Sequence, residues 1–205
     1  MPVKLKICGL KRPADAEYLN EFQPDFAGFV FAGTKRKIDF ETAKSLRKIL
    51  NPEIQTVGVF VNEDIGFIRK LADEQVISFV QLHGDEDDTY IGKLREVCSL
   101  PIIKAQRIAS REDIKPYSSD YYLFDTKRAG EYGGTGESFD WNVLSDVGKP
   151  FFLAGGINLG NLDEALKVAT EKNAFALDIS SGVETDGFKD KLKIQETVRR
   201  VRNYE

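Results

Sequence analysis

The chain repeats one unit eight times. Short apolar runs recur about 24 residues apart, and each is followed by a charged stretch with helical spacing. The runs are Val3–Cys8, Phe26–Phe31, Thr56–Val61, Ser78–His83, Ile102–Gln106, Tyr121–Asp125, Pro150–Ala154 and Ala174–Ser180. A strand of about six residues, a helix of about eleven and two short loops fill such a unit. The runs are nearly continuous in Val, Ile and Phe, as strands buried on both faces of a parallel sheet are. Between them, Ala43, Leu46, Ile49 and Leu50 share one helical face, and Asp39 stands before them as an N-cap. Leu162, Ala165, Leu166 and Ala169 form a second stripe, and Pro13 opens the first helix, where its missing N–H costs nothing. Alternating strands and helices make an α/β fold with a parallel sheet. Open doubly wound sheets commonly have five or six strands, so eight uninterrupted units select a compact (βα)8 TIM barrel, expected as one domain over residues 1–205.

Composition narrows the function. Of 205 residues, 41% are hydrophobic and 30% charged, enough apolar material for a core. The net charge of −4 lacks the basic footprint of a nucleic-acid binder. No apolar run approaches the ~20 residues that span a bilayer. Met1–Lys6 enters a strand pattern without a signal-peptide core, so the expected compartment is the cytoplasm. Two cysteines, Cys8 and Cys98, make no disulfide scaffold, and Cys98 reads as structural. One histidine and no clustered carboxylates make no transition-metal site.

Barrel chemistry sits at the C-terminal strand ends. That rule selects Cys8, His83, Asp125, Gly155-Gly156 and Asp178 with Ser180-Ser181-Gly182, and Arg36 in the second loop. Cys8 is either a base or nucleophile, activated by neighbouring positive charge, or a small buried hydrophobe; its strand-end position favours the former. Asp125 ends an apolar strand, where partial burial raises a carboxyl toward a value useful for proton donation. Asp178 either holds a substrate hydroxyl or amine, or pairs as a buried acid with Lys6 or Lys104. His83 is a substrate contact or a capped structural residue. Arg36 could bind a carboxylate as a fork, and a solvated basic loop explains Lys35 and Lys37 equally. Gly155-Gly156 and Ser180-Ser181-Gly182 follow strands seven and eight, where barrels often bind phosphate through backbone N–H groups and a short helix N-terminus. Gly133-Gly134-Thr135-Gly136 lacks nucleotide-loop spacing and reads as a flexible lid within Thr126–Ser138.

Taken together, these segments resemble the phosphoribosylanthranilate isomerase family. The resemblance rests on Lys6-Ile7-Cys8-Gly9, Gly28–Phe31 with Arg36, Val57–Asn62, Val80-Gln81-Leu82-His83-Gly84-Asp85-Glu86 and Phe124-Asp125. It continues through Gly133–Gly136 with Phe139-Asp140-Trp141, Leu153–Gly156 and Asp178–Glu184, in the family's order. One departure is Thr34-Lys35-Arg36, where the family often reads Ser-Pro-Arg or Ser-Lys-Arg; Thr keeps the hydroxyl.

The resemblance implies an Amadori rearrangement of N-(5-phosphoribosyl)anthranilate to 1-(2-carboxyphenylamino)-1-deoxyribulose 5-phosphate, in tryptophan biosynthesis. It implies Asp125 as the general acid that opens the furanose and Cys8, as thiolate, as the base that removes the C2 proton. Arg36 would take the anthranilate carboxylate, the loops after strands seven and eight the phosphate, and Asp178 and His83 would border the substrate. No cofactor is implied. The partner is a small phosphosugar, with neither nucleic acid nor membrane, and a homodimer stays open because the family includes monomers, dimers and fusions. Two rivals are the histidine-pathway isomerase, whose paired aspartates Cys8 argues against, and a catalytically silent barrel that binds a phosphorylated metabolite.

Overall fold

The computed structural model describes residues 2–126, 141–144 and 147–204. Eight strands pair in chain order: β1 (Lys4–Cys8), β2 (Phe26–Val30), β3 (Gln55–Phe60), β4 (Phe79–Leu82), β5 (Ile102–Ile108), β6 (Tyr121–Thr126), β7 (Phe151–Ala154) and β8 (Ala176–Ile179). Every neighbouring pair is parallel, and β8 returns to β1 with Lys6 opposite Asp178, closing the barrel. Each strand lies within two residues of an expected run.

Helices α1 (Pro13–Phe22), α2 (Phe40–Ile49), α3 (Ile65–Asp73), α4 (Asp88–Val97), α5 (Leu162–Glu171) and α6 (Lys191–Arg202) ring the sheet. Four of their starts, those of α2, α3, α4 and α6, are capped by aspartates. Asp39, Asp64 and Asp87 accept from the backbone N–H three residues on, and Asp190 from Leu192 and Lys193. Ala43, Leu46 and Leu50 are buried as expected, whereas Ile49 sits at the edge of the stripe, 36% exposed. The α5 stripe is fully buried against the sheet. Cys98 is buried behind α4, and Ile68 lies in the core with Phe67 packed on it.

Side chains alternate across each strand, so outward residues such as Leu5, Ile7, Phe29 and Leu177 pack under the helices. The inward set forms a separate core. At the strands' N-terminal ends Phe26, Phe79, Tyr121, Phe152 and Phe175 fill the barrel with tilted and edge-to-face contacts; Phe26 and Phe79 meet at 5.4 Å and 88°. This plug leaves the C-terminal mouth as the place where a cavity can form.

The connections after β5 and β8 differ from expectation. After β5 there is one 3-10 turn, Arg111–Asp113, where an α-helix was expected. The Asp113 carboxylate accepts from the backbone N–H of Ala109 and Ser110, and Pro116 follows before a second turn can grow. After β8 no short helix begins. A turn leads into the hairpin β9 (Glu184–Thr185) and β10 (Phe188–Lys189), whose loop residues Asp186 and Gly187 both have positive φ. The lid reading of Gly133–Gly136, like Phe139 and Asp140, lies outside the described residues.

Candidate active site

The parity that turns Lys6 into the barrel also turns Cys8 inward, and Gln81, Asp125, Ala154 and Asp178 share it. These side chains floor a cavity of about 530 Å³ at the C-terminal mouth. The β2 loop with Arg36, Gly155-Gly156 after β7 and Ser180-Ser181 after β8 form its rim. An adjoining, more polar hollow of about 710 Å³ shares Val61 and His83 but contains neither Cys8 nor Asp125.

Cys8 is buried and free. Burial pushes its thiol above the ordinary value; Lys6 and Lys189 pull it down without winning, and Asp178 adds to the rise. Burial thus works against the thiolate that the family analogy implies, and Lys6 and Lys189 work for it. Gly28 stands against it: a Cβ there would lie 2.6 Å from Cys8 Sγ, so only glycine leaves room.

Asp178 answers one open question. Both its oxygens accept from Lys6 Nζ at 2.9 Å, and Lys6 is fully buried. Burial disfavours the ammonium, yet the Asp178 charge and hydrogen bond, with Cys8 helping, hold its pKa above the ordinary lysine value. Lys104, the alternative partner, points outward and pairs with Glu86 at 2.9 Å. Asp178 thus has its structural partner and still borders the cavity.

Arg36 is partly committed. Its Nε and Nη2 donate to Glu184 at 2.7 and 2.8 Å, leaving Nη1 and one Nη2 hydrogen. Glu184 also accepts from Lys189 Nζ at 2.7 Å. Burial works to raise the Glu184 carboxyl, but hydrogen bonds from Arg36 and Lys189 and their charges hold it at about 2. The fork expected to be free is therefore oriented by the hairpin.

His83 places Nε2 3.7 Å from Asp125 Oδ2 and Nδ1 2.8 Å from Gln81 Nε2. Asp125 itself is about one-third exposed at the mouth. Gly155 and Gly156 take φ values of 104° and 62°, turning their backbone where a side chain would be strained. Ser180 Oγ donates to the Cys8 carbonyl at 3.1 Å, tying β8 to β1. Gly182 lies off the cavity lining: a Cβ there would be 1.9 Å from the Ile157 carbonyl oxygen. It bridges to Asn158, so its smallness lets the β8 loop seat on the β7 loop. Among the described residues no group of three or more His, Cys, Asp or Glu could hold a metal.

Sequence reasoning gave no role to Gln81, Glu184 or Lys189. The alternation that selected His83 also turns Gln81 inward, and Asp186-Gly187 between Thr185 and Phe188 is a hairpin signal. Lys189 carried no such signal, because its partners are set by the hairpin's return toward β1.

An acid and a thiol three strands apart on the floor of a barrel mouth, beside two glycine–serine loops, define a (βα)8 enzyme of the phosphosugar-isomerising kind. Residues 5–200 match the family described as N-(5'-phosphoribosyl)anthranilate (PRA) isomerase. The chain is 50% identical over 200 residues to the N-(5'-phosphoribosyl)anthranilate isomerase of Endomicrobium trichonymphae, covering 98% of each. It superposes with a TM-score of 0.81 and 32% identity on a phosphoribosyl anthranilate isomerase in complex with reduced 1-(o-carboxyphenylamino)-1-deoxyribulose 5-phosphate, covering 98% of each chain. Monomers generated from the dimeric phosphoribosylanthranilate isomerase of Thermotoga maritima give 0.80 and 32%, again covering 98% of each chain. The chain belongs to the N-(5'-phosphoribosyl)anthranilate isomerase family.

Proposed function

We propose that this barrel isomerises N-(5'-phosphoribosyl)anthranilate in tryptophan biosynthesis, with Asp125 as general acid and Cys8 as general base. The observation that carries the assignment of roles is the placement of these two groups on β6 and β1, both inward, on one cavity floor. Asp125 gives its proton to the ring oxygen, the C1′–O bond breaks, and the nitrogen lone pair forms a C1′=N iminium. The Cys8 thiolate takes the C2′ proton, and that electron pair forms the C1′=C2′ enolamine and neutralises the nitrogen. Ketonisation moves a proton from the 2′-hydroxyl to C1′. The enzyme resets when the thiol proton returns to the carboxylate. No step calls for a cofactor.

The backbone of Gly155 and Gly156 and the Ser180-Ser181 turn would hold the phosphate, and the free edge of Arg36 the anthranilate carboxylate. Gly182 supports that phosphate site through the β7 loop. Asp178 and His83 would border the sugar. The test is conversion of the substrate generated in situ, followed by loss of anthranilate-type fluorescence. Asp125→Asn and Cys8→Ser should each lower kcat by about 10²–10⁴-fold with product binding retained. Unchanged turnover in either variant removes that residue from its role.

Two further expectations accompany this reading. A homodimer is supported by the dimeric Thermotoga maritima relative and by exposed Leu192 and Phe188; light scattering across concentration tests it. A cytoplasmic location is supported by the biosynthetic family and by the lack, among the described residues, of a helix long and apolar enough to cross a membrane; cell fractionation tests it.

A further inference from the structure

Arg36 belongs to the loop after β2, yet its side chain is held by β1 and by the hairpin after β8. Its stem crosses Gly9, directly after Cys8: a Cβ there would lie 2.5 Å from Arg36 Cδ, and Gly9 has a φ of 87°. Only glycine accepts both that backbone and that close crossing. Beyond Gly9, the Glu184 carboxylate takes Nε and Nη2 at 2.7 and 2.8 Å. Lys11 Nζ ties the two loops together, donating to the Gly187 carbonyl at 2.9 Å and the Lys35 carbonyl at 3.4 Å. Since β1 lies between β2 and β8, Arg36 reaches from its own loop across β1 to the loop after β8.

Glu184 is itself anchored. Lys189, 3% exposed, donates to Glu184 Oε1 at 2.7 Å and to the Ser180 carbonyl at 3.0 Å. Lys193 Nζ donates to the Glu184 carbonyl at 2.7 Å. A buried cation therefore fastens the Glu184 carboxylate to the turn that rims the cavity. Arg36, Glu184 and Lys189 together keep one net positive charge, so a further anion is attracted. Glu184 occupies the side edge of the guanidinium. The outer edge, with one hydrogen on Nη1 and one on Nη2 in parallel, is left for a second carboxylate. A guanidinium already fixed along one edge loses little rotamer freedom when that carboxylate arrives.

Resting on the function proposed above, we infer that Glu184, anchored by Lys189, is a positioning residue that sets the outer edge of Arg36 for the anthranilate carboxylate and so determines specificity for the aglycone. The link Ser180–Lys189–Glu184–Arg36 also ties this carboxylate fork to the serine turn after β8, so the two anion-binding parts of the site are held in one fixed relation.

Substrates with and without the carboxylate separate positioning from structural support. Wild type should prefer N-(5'-phosphoribosyl)anthranilate over N-(5'-phosphoribosyl)aniline by about 10- to 100-fold in kcat/KM. Glu184→Gln should raise KM for the anthranilate substrate about 10-fold, with kcat within about threefold. For the aniline substrate, kcat/KM should stay within about threefold of wild type, because the lost alignment concerns only the carboxylate. In the double variant Arg36→Met, Glu184→Gln, activity should match that of Arg36→Met alone, since one residue acts through the other. Glu184→Asp keeps the charge for Lys189 but draws the carboxylate back from Arg36 by one methylene. It should show the same rise in KM, which covers a Gln variant that fails to fold. An unchanged or lower KM, an equal loss on both substrates, or additive losses in the double variant overturns the inference. So does a wild type that turns over both substrates equally well. Wild-type protein that turns over neither overturns the functional reading instead.

Discussion

Lys6 and Asp178 meet inside the barrel with the lysine fully buried and the aspartate nearly so. Removing one member of such a pair strands a charge, whereas replacing both with apolar groups is often neutral. Asp178→Asn should cost about 3–5 kcal/mol in urea unfolding, and the Lys6→Met, Asp178→Leu double variant much less. The pair also sets the field at Cys8. Burial dominates there and holds the thiol above its ordinary value. A base must be deprotonated to act, so kcat/KM should climb with pH through that raised value, and the climb should vanish in Cys8→Ser. A pH–rate profile with no alkaline rise would remove the thiol from the base role.

Among the connecting elements, the loops after β7 and β8 act as one. Gly182 lies where a Cβ would meet the Ile157 carbonyl at 1.9 Å, and backbone cannot yield as a flexible side chain can. Gly182→Ala should push the β8 loop off the β7 loop. The expected outcome is weaker competition by inorganic phosphate and a raised KM, with the rest of the barrel intact by circular dichroism. The hairpin that follows, β9 and β10, brings Glu184 to Arg36 and Lys189 to Ser180. A short helix was expected at this place. The Asp186-Gly187 turn outweighs it, because both residues adopt positive φ and Gly does so without strain.

Closure of the barrel joins residues far apart in the chain, and Glu184 with Arg36 and Lys189 is one such seam. A carboxyl held at about 2 instead of 4.5 contributes on the order of 3 kcal/mol at neutral pH. Because its value is lowered on folding, that contribution is complete above pH 4.5 and is lost as the pH falls toward 2. Acid unfolding monitored by circular dichroism should show this slope in wild type, and Glu184→Gln should flatten it while lowering stability at pH 7. An identical acid profile in the variant would mean that the seam carries no net stability. Strand positions, the parallel pairing and the level of Cys8, His83, Asp125 and Asp178 were legible in the chain, because an apolar run buried on two faces and the alternation of side chains are local properties. The same residues could not tell whether Asp178 pairs with Lys6 or Lys104, whether Arg36 is free, or which way burial and charge shift Cys8. Those answers depend on which strands meet at closure and on how much water is left around each charge, and only the closed barrel sets both.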